Sequence, residues 1–255
     1  MRLVALPGVF RPLSDSWQLA HAACAQDAPR GASVLELCAG TGLSAIMAAG
    51  AHGGRATTVD VSRRAQLTAR LNGWLNGVPV SARRGDLLEP VAGETFDLIV
   101  ANPPYVPAAS DSLPERGRAR GWDAGRDGRA VLDRICARAP AHLRPGGVLL
   151  VIHSEIVDAD ATLAALAAAG LAADVAARHH GPLGPLMRER AALLEARGLL
   201  APGRREEDVL VLRGRAGHAP PPEAGTGAAA GQAPVPRLDA GTPAGAAAGQ
   251  APASA

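Results

Sequence analysis

The sequence predicts an α/β fold with a mostly parallel, seven-stranded sheet, helices on both faces and an antiparallel edge. Three observations predict it. Short β-branched runs alternate with Ala/Leu/Arg-rich stretches up to about Gly214, a pattern that calls for a parallel sheet covered on both sides. A loop with two glycines, Ala39-Gly40-Thr41-Gly42, closes the first strand. Acidic residues then stand at the ends of the next strands.

The elements follow in order. The first strand, Ser33–Cys38, leads through the glycine loop to a helix at Leu43–Ala49. Ala56–Val61 is the second strand, with a helix from about Arg63 to Leu75, and Val78–Arg83 is the third. Phe96–Ala101 is the fourth, stopped by a proline pair. A helix near Arg129–Ala139 runs through a Pro145-Gly146-Gly147 turn into the strand Val148–His153. Ala159–Ala169 is helical, and Ala172–Arg178 with Asp208–Arg213 supplies the last two strands, which pair antiparallel at one edge.

At 255 residues the chain can build one such domain with a substantial core. Residues 1–30 lead into it, 31–214 form it, and 215–255 turn to Ala, Gly and Pro. That tail carries GAAAGQAP twice, at Gly227–Pro234 and Gly245–Pro252. It has too little apolar surface to offset its chain entropy, so a disordered tail without catalytic duty is expected. All 26 basic residues are arginine, and the formal net charge of +2 argues against a general polyanion-binding surface. Cys24, Cys38 and Cys136 are odd in number and lack metal-ligand spacing. Neither a disulfide framework nor a metal site is expected, and a reducing cytoplasmic setting fits. The apolar start Met1–Leu6 breaks at Pro7, and no apolar run is long enough to cross a bilayer.

In an open α/β sheet, ligands sit beyond the carboxyl ends of the strands, where the strand order switches. Gly40 and Gly42 let the backbone approach a ligand there. A dinucleotide site would want a third glycine, where this chain has Ala45, and Glu36 is a poor neighbour for phosphates. A sulfonium with an amino-acid head suits the loop better. Asp60, at the end of the second strand, can accept both hydroxyls of a ribose diol. Asp86, after the third, falls where a side chain meets an adenine amino group. Each acid alone is as well explained as a cap or turn residue. In this order on successive strand ends, they point to a nucleoside cofactor.

Asn102-Pro103-Pro104-Tyr105 ends the fourth strand. Two prolines fix φ and remove two N–H donors, leaving stiff backbone carbonyls. The Asn102 side-chain oxygen and the Pro103 carbonyl are two acceptors for the two hydrogens of a planar –NH2 group, and Tyr105 can stack on that group. Holding a nitrogen in this way can remove up to about 7–11 kcal/mol of a barrier. A plain strand-terminating turn is the alternative.

With these residues in place, the chain resembles the amino-methyltransferases, Rossmann-like class I enzymes dependent on S-adenosyl-L-methionine (SAM). Arg11-Pro12-Leu13-Ser14-Asp15-Ser16-Trp17 and Gly121-Trp122-Asp123-Ala124-Gly125-Arg126-Asp127-Gly128-Arg129 narrow the resemblance to the HemK/PrmC-type glutamine methyltransferases. It spans about Pro7 to Arg213. The resemblance implies that Glu36, Cys38, Ala39, Gly40, Thr41, Gly42, Asp60, Val61, Asp86, Leu87 and Asn102 hold SAM. It implies catalysis by Asn102, Pro103 and Tyr105, with Asp15, Ser16 and Pro104 also lining the substrate site. The implied substrate is the glutamine of the GGQ tripeptide of a class I release factor. The chain starts almost directly at the SAM domain, so it is similar to the short form of the family, which commonly works with a small zinc-binding partner.

Two rival functions share these features. A nucleic-acid base methyltransferase would use the same acceptors on an exocyclic amine, but usually adds a basic platform to extract the base. A non-catalytic scaffold would not need residues 102–105. Three weaker signals remain. His179-His180 reads as a solvated strand-end turn rather than a metal site. Arg116, Arg118, Arg120, Arg126 and Arg129 suit either a nucleic-acid backbone or acidic protein face, or a solvated loop, since Glu115, Asp123 and Asp127 dilute their field. Arg188, Arg190, Arg197, Arg204 and Arg205, mixed with Glu189, Glu195, Glu206 and Glu207, read as a helix surface.

Overall fold

β1 (Ser33–Leu37) is buried at all five positions, which a strand achieves only when both faces of its sheet are covered. The computed structural model, which describes residues 1–217, shows how. The remaining strands are β2 (Arg55–Asp60), β3 (Val80–Arg84), β4 (Phe96–Ala101), β5 (Leu143–Ser154), β6 (Ala172–Pro182) and β7 (Glu206–Arg215). They form one sheet in the order β3-β2-β1-β4-β5-β7-β6. β1 to β5 run parallel, and β7 pairs antiparallel with both β5 and β6. The order reverses between β1 and β4, so their carboxyl ends open the crevice where such folds place ligands.

The core divides by strand alternation. Leu98 and Val100 of β4 face a layer made by α1 (Ser14–Cys24) and α2 (Leu43–Ala51), whose Leu19, Ala23, Ala45, Ala48 and Ala49 are buried there. Ile99 and Ala101 face the opposite layer, with α4 (Leu132–Arg138), α5 (Ala159–Ala168) and α7 (Ala191–Ala196) supplying Leu132, Ile135, Leu166 and Leu194. Small residues on α1 and α2 let those helices sit close to the sheet. α3 (Arg63–Leu75) packs beside β2 and β3. It starts at Ser62, whose hydroxyl caps the Ala65 N–H at 3.3 Å. α6 (Pro185–Glu189) lies with α7 in the connection between β6 and β7.

Several expectations are corrected. Residues 14–24 form a helix, although their apolar pattern is too Ala-rich to announce one; Leu19, Ala20 and Ala23 are fully buried. Pro145-Gly146-Gly147 is not a turn but an irregular stretch inside β5, where the register against β4 shifts between Phe96 and Leu98. Gly146 has φ 76°, and a Cβ on Gly147 would lie 2.8 Å from the Arg144 carbonyl oxygen. His179-His180 lies within β6, opposite Val209 and Asp208, because the Asp208 carboxylate pairs with both Arg178 and His180 across the strands. The helix expected at Arg129–Ala139 is α only over Leu132–Arg138, and a 3₁₀ turn containing Pro140 follows it. Glu206 and Glu207 are on β7, not on a helix. That strand runs to Arg215, and the tail expectation for 218–255 lies outside the described residues. No helix among the described residues is long and apolar enough to cross a membrane.

Arg129, expected in a solvated loop, is buried. Its guanidinium donates to the carbonyls of Val157 (2.6 Å) and Asp158 (2.8 Å) and to Thr162 Oγ1 (3.1 Å), and it pairs with Asp133. Thr162 also lies 3.0 Å from His153 Nε2, while His153 Nδ1–H donates to the Ser154 carbonyl at 2.8 Å. Burial pushes the His153 pKa down from 6.5 to about 4, and the nearby Arg129 charge adds to the shift. The folded state therefore binds fewer protons than the unfolded chain between these values. The contribution of His153 to stability should be complete above pH 6.5 and fall by about 3 kcal/mol as the pH drops to 4. Urea denaturation at pH 7.5, 5.5 and 4.5 should show that loss as a falling difference between the wild type and His153→Gln, which keeps every other titrating group. Parallel profiles for the two proteins would contradict it.

Candidate active site

The site begins with strand register. Leu37 of β1 lies opposite Ala101 of β4, so the loops that follow, 38–42 and 102–105, leave adjacent strands at one level. Both line a single cavity of about 1530 Å³ at the carboxyl edge of the sheet. Asp15, Ser16, Glu36, Cys38–Thr41, Asp60, Val61, Asp86, Leu87 and Asn102–Tyr105 all line it. Gly42 does not. It sits at φ 76° ahead of α2, where a Cβ would be 3.0 Å from Ala69 Cβ, so it serves close packing beneath the loop.

Three carboxylates shape the first half of the cavity. Glu36 is buried and accepts the Ala45 N–H at 2.9 Å and the Ser44 N–H at 3.3 Å, tying β1 to the first turn of α2. Burial pushes its pKa up to about 7 against those hydrogen bonds. Asp60 accepts from Gly40 N at 2.9 Å and from Ser62 N at 2.8 Å, so it fixes the glycine loop as well as facing the cavity. Burial raises its pKa too, opposed by its two backbone hydrogen bonds and the Arg120 charge. Asp86 is ion-paired with Arg134 of α4. Cys38 takes φ 54°, uncommon for a side chain with a Cβ, and burial holds its thiol protonated.

The second half is built around Asn102. Its Nδ2 donates to Asp15 Oδ2 and to Ser16 Oγ, both at 3.2 Å. Asp15 and Ser16 open α1, and the Ser16 N–H and hydroxyl donate to Asp15 Oδ1 at 2.7 and 3.2 Å. With its amide hydrogens taken, Asn102 offers Oδ1 as an acceptor. The Tyr105 hydroxyl donates to the same Asp15 Oδ2 at 3.2 Å. Burial, with the Asp15 and Glu207 charges, raises the Tyr105 pKa well above 10, so the phenol stays a donor. Asp15 and Ser16 thus orient the acceptor loop from beneath.

Beyond Tyr105 the chain is stiffened by the glycine-rich stretch. Val106 N donates to the Trp122 carbonyl at 2.8 Å, and Ala108 N to Gly125 at 2.7 Å. Gly128, at φ 79°, passes so near the Tyr105 carbonyl that a Cβ would lie 2.4 Å from its oxygen. Arg190 donates to the Pro107 carbonyl at 2.9 Å and pairs with Asp123 at 2.7 Å, clamping the α6–α7 connection onto this loop. Arg190 and Glu207, expected on a solvated helix surface, instead brace and line the cavity, as do Arg134 and the strap Ala5–Phe10, which the sequence did not mark. Their roles come from long-range contacts, which carry no local signal.

The site suits SAM by its donor set: carboxylates at three strand ends, an open backbone at Gly40, whose Cβ would find its nearest contact at 3.9 Å, and a buried acid that a cation would favour. Comparisons agree. The family model described as Methyltransferase small domain matches residues 1–114. A provisional protein N5-glutamine methyltransferase of Methanocaldococcus jannaschii is 33% identical over 187 residues, covering 73% of this chain and 93% of that protein. The release factor glutamine methyltransferase of Mycolicibacterium smegmatis is 37% identical over 180 residues, covering 68% of this chain and 63% of its own length. Among solved structures, the E. cuniculi Mtq2–Trm112 complex, responsible for methylation of the termination factor eRF1, superposes with a TM-score of 0.56 at 20% identity, over 82% of this chain and 99% of that one. The fold is that of the class I SAM-dependent methyltransferases, and the chain belongs to the HemK/PrmC-type family of glutamine N-methyltransferases.

Proposed function

We propose that the enzyme methylates the side-chain amide nitrogen of a glutamine in a protein, with a class I peptide chain release factor as substrate. The observation that carries this reading is the orientation of Asn102. Its two amide hydrogens are engaged by Asp15 and Ser16, so the group it offers the cavity is an acceptor. The Pro103 carbonyl is a second acceptor on a backbone without N–H groups at 103 and 104. A primary amide brings two hydrogens to match them.

SAM supplies an electrophilic methyl group when bound in the half of the cavity lined by Glu36, Asp60 and Asp86. The residues of this chain do the rest. An amide nitrogen is a weak nucleophile because its lone pair is delocalised. Accepting hydrogen bonds from both of its hydrogens raises electron density on nitrogen as it takes the methyl group. One of those hydrogens then leaves as a proton to solvent, and the stiff loop fixes the direction of approach. Tyr105 braces Asp15 through its hydroxyl and offers its ring beside the amide plane.

A small zinc-binding subunit completes the proposal. The structural neighbour Mtq2 was solved with Trm112 bound. In this chain β3 is an edge strand, and α3 beside it exposes Leu67, Leu71 and Trp74, the last 77% exposed. That apolar stripe at i, i+4 and i+7 gives such a partner a surface. Three free thiols fit action in the reducing cytoplasm.

Radiolabelled SAM offered with a purified release factor and, separately, with total RNA tests the substrate class. Label should enter the protein at a glutamine amide and not the RNA; label in RNA alone would overturn the reading in favour of an exocyclic amine. Asn102→Ala should lower kcat by about a hundredfold or more while SAM affinity is kept, whereas lost SAM binding with retained turnover would contradict the role given to Asn102.

The Glu36 carboxyl gives a second expectation. A cationic ligand favours its ionised form, which in the free protein forms only as the pH passes about 7. SAM affinity measured by calorimetry should therefore tighten as the pH rises from 6 to 8, and Glu36→Gln should flatten the trend. A wild-type affinity constant across that range would refute it.

A further inference from the structure

Glu207 is 4% exposed on β7 and lines the same cavity as Asn102 and Tyr105. Its Oε1 accepts the Gly184 N–H at 2.6 Å. Its Oε2 is buried and has no hydrogen-bond partner among the described residues. Its strand neighbours differ. Glu206 faces His180, and Asp208 is paired with Arg178 and His180. Along β7 the outward carboxylates are matched by cross-strand cations, and the inward one is left half-satisfied.

Folding alone gives no reason for this. One N–H needs one acceptor, and an unpaired buried carboxylate oxygen is costly. The carboxylate is also held in place. A Cβ on Gly184 would lie 3.3 Å from Oε1, so the glycine permits the close approach, and Arg190 anchors the following helices to Pro107 and Asp123. Glu207 lines the cavity, and its buried carboxylate oxygen without a partner is complementary to an N–H donor. The Asn102 and Pro103 oxygens already match the acceptor amide. What remains of a peptide ligand is its backbone, with one N–H per residue. Where the flanking residues are glycines, that backbone is the whole handle.

We propose that Glu207 Oε2 accepts a backbone N–H of the substrate peptide next to the methylated glutamine, and so selects a peptide over a free amide. This rests on the protein-glutamine reading above. Glu207→Gln keeps Oε1 for Gly184 and turns the other atom into a donor facing the substrate N–H. With a glutamine peptide from a release factor, the variant should raise peptide KM by about tenfold or more, leaving SAM affinity unchanged and the melting temperature no lower. A second series uses peptides N-methylated at single backbone nitrogens beside the glutamine. One position should cost the wild type a comparable factor and cost Glu207→Gln nothing further.

An unchanged KM in the folded variant, or the same N-methyl penalty in both proteins, overturns the proposal. If the variant does not fold, the wild-type series decides alone, and a series without any penalty refutes it. A wild type that methylates RNA and no peptide refutes the protein-glutamine reading and this subsite together. Peptide methylation with a flat series refutes the subsite alone.

Discussion

The site depends on which way one amide points. An Asn side chain offers a donor end and an acceptor end of nearly equal size. Asp15 and Ser16 remove the ambiguity by accepting both Nδ2 hydrogens of Asn102. The interaction joins the first turn of α1 to the end of β4 across 87 residues of sequence. Tyr105 returns to the same carboxylate oxygen from the far side of the proline pair. The loop is thereby fixed at both ends of the motif, with its prolines rigid between them. On the proposed reading, such preorganisation lets the site act on a weak nucleophile without a strong base.

The cofactor half obeys a related constraint. Glu36 is buried and Asp60 partly buried, and desolvation disfavours the ionised form of both. Each is nevertheless hydrogen-bonded to backbone N–H groups that define the glycine loop. The same side chains therefore shape the loop and hold latent negative charge against it. A cationic ligand relieves that tension, and a phosphate would increase it. The absence of a third glycine at Ala45 fits as well, since Ala45 N is given to Glu36 rather than to a pyrophosphate.

Much of this was legible in the sequence because it depends on local pattern. Strand-end positions of Glu36, Asp60, Asp86 and Asn102 follow from alternation and turn chemistry. The seven-stranded sheet with its antiparallel edge follows from the same reading. What stayed hidden rests on distant contacts. α1 is short and Ala-rich, so its packing on α2 and β5 has no strong periodic signature. Arg129 and Glu207 sat in stretches of mixed charge that read as solvated surface, yet both are buried. Pro145-Gly146-Gly147 carries turn chemistry, but backbone bonds from Gly146 N to the Gly217 carbonyl and from Ala216 N to the Gly147 carbonyl tie it to the chain at the end of β7. In each case tertiary pairing overrode a correct local preference.

The central claim is that two fixed oxygens receive the hydrogens of an acceptor amide. A crystal structure with S-adenosylhomocysteine and a glutamine peptide tests it most directly. The account predicts the acceptor nitrogen at about 2.7–3.2 Å from both Asn102 Oδ1 and the Pro103 carbonyl oxygen, with Nδ2 still on Asp15 and Ser16. A complex in which Asn102 leaves Asp15 and turns Nδ2 toward the peptide, or in which the amide lies outside the reach of both oxygens, would contradict it.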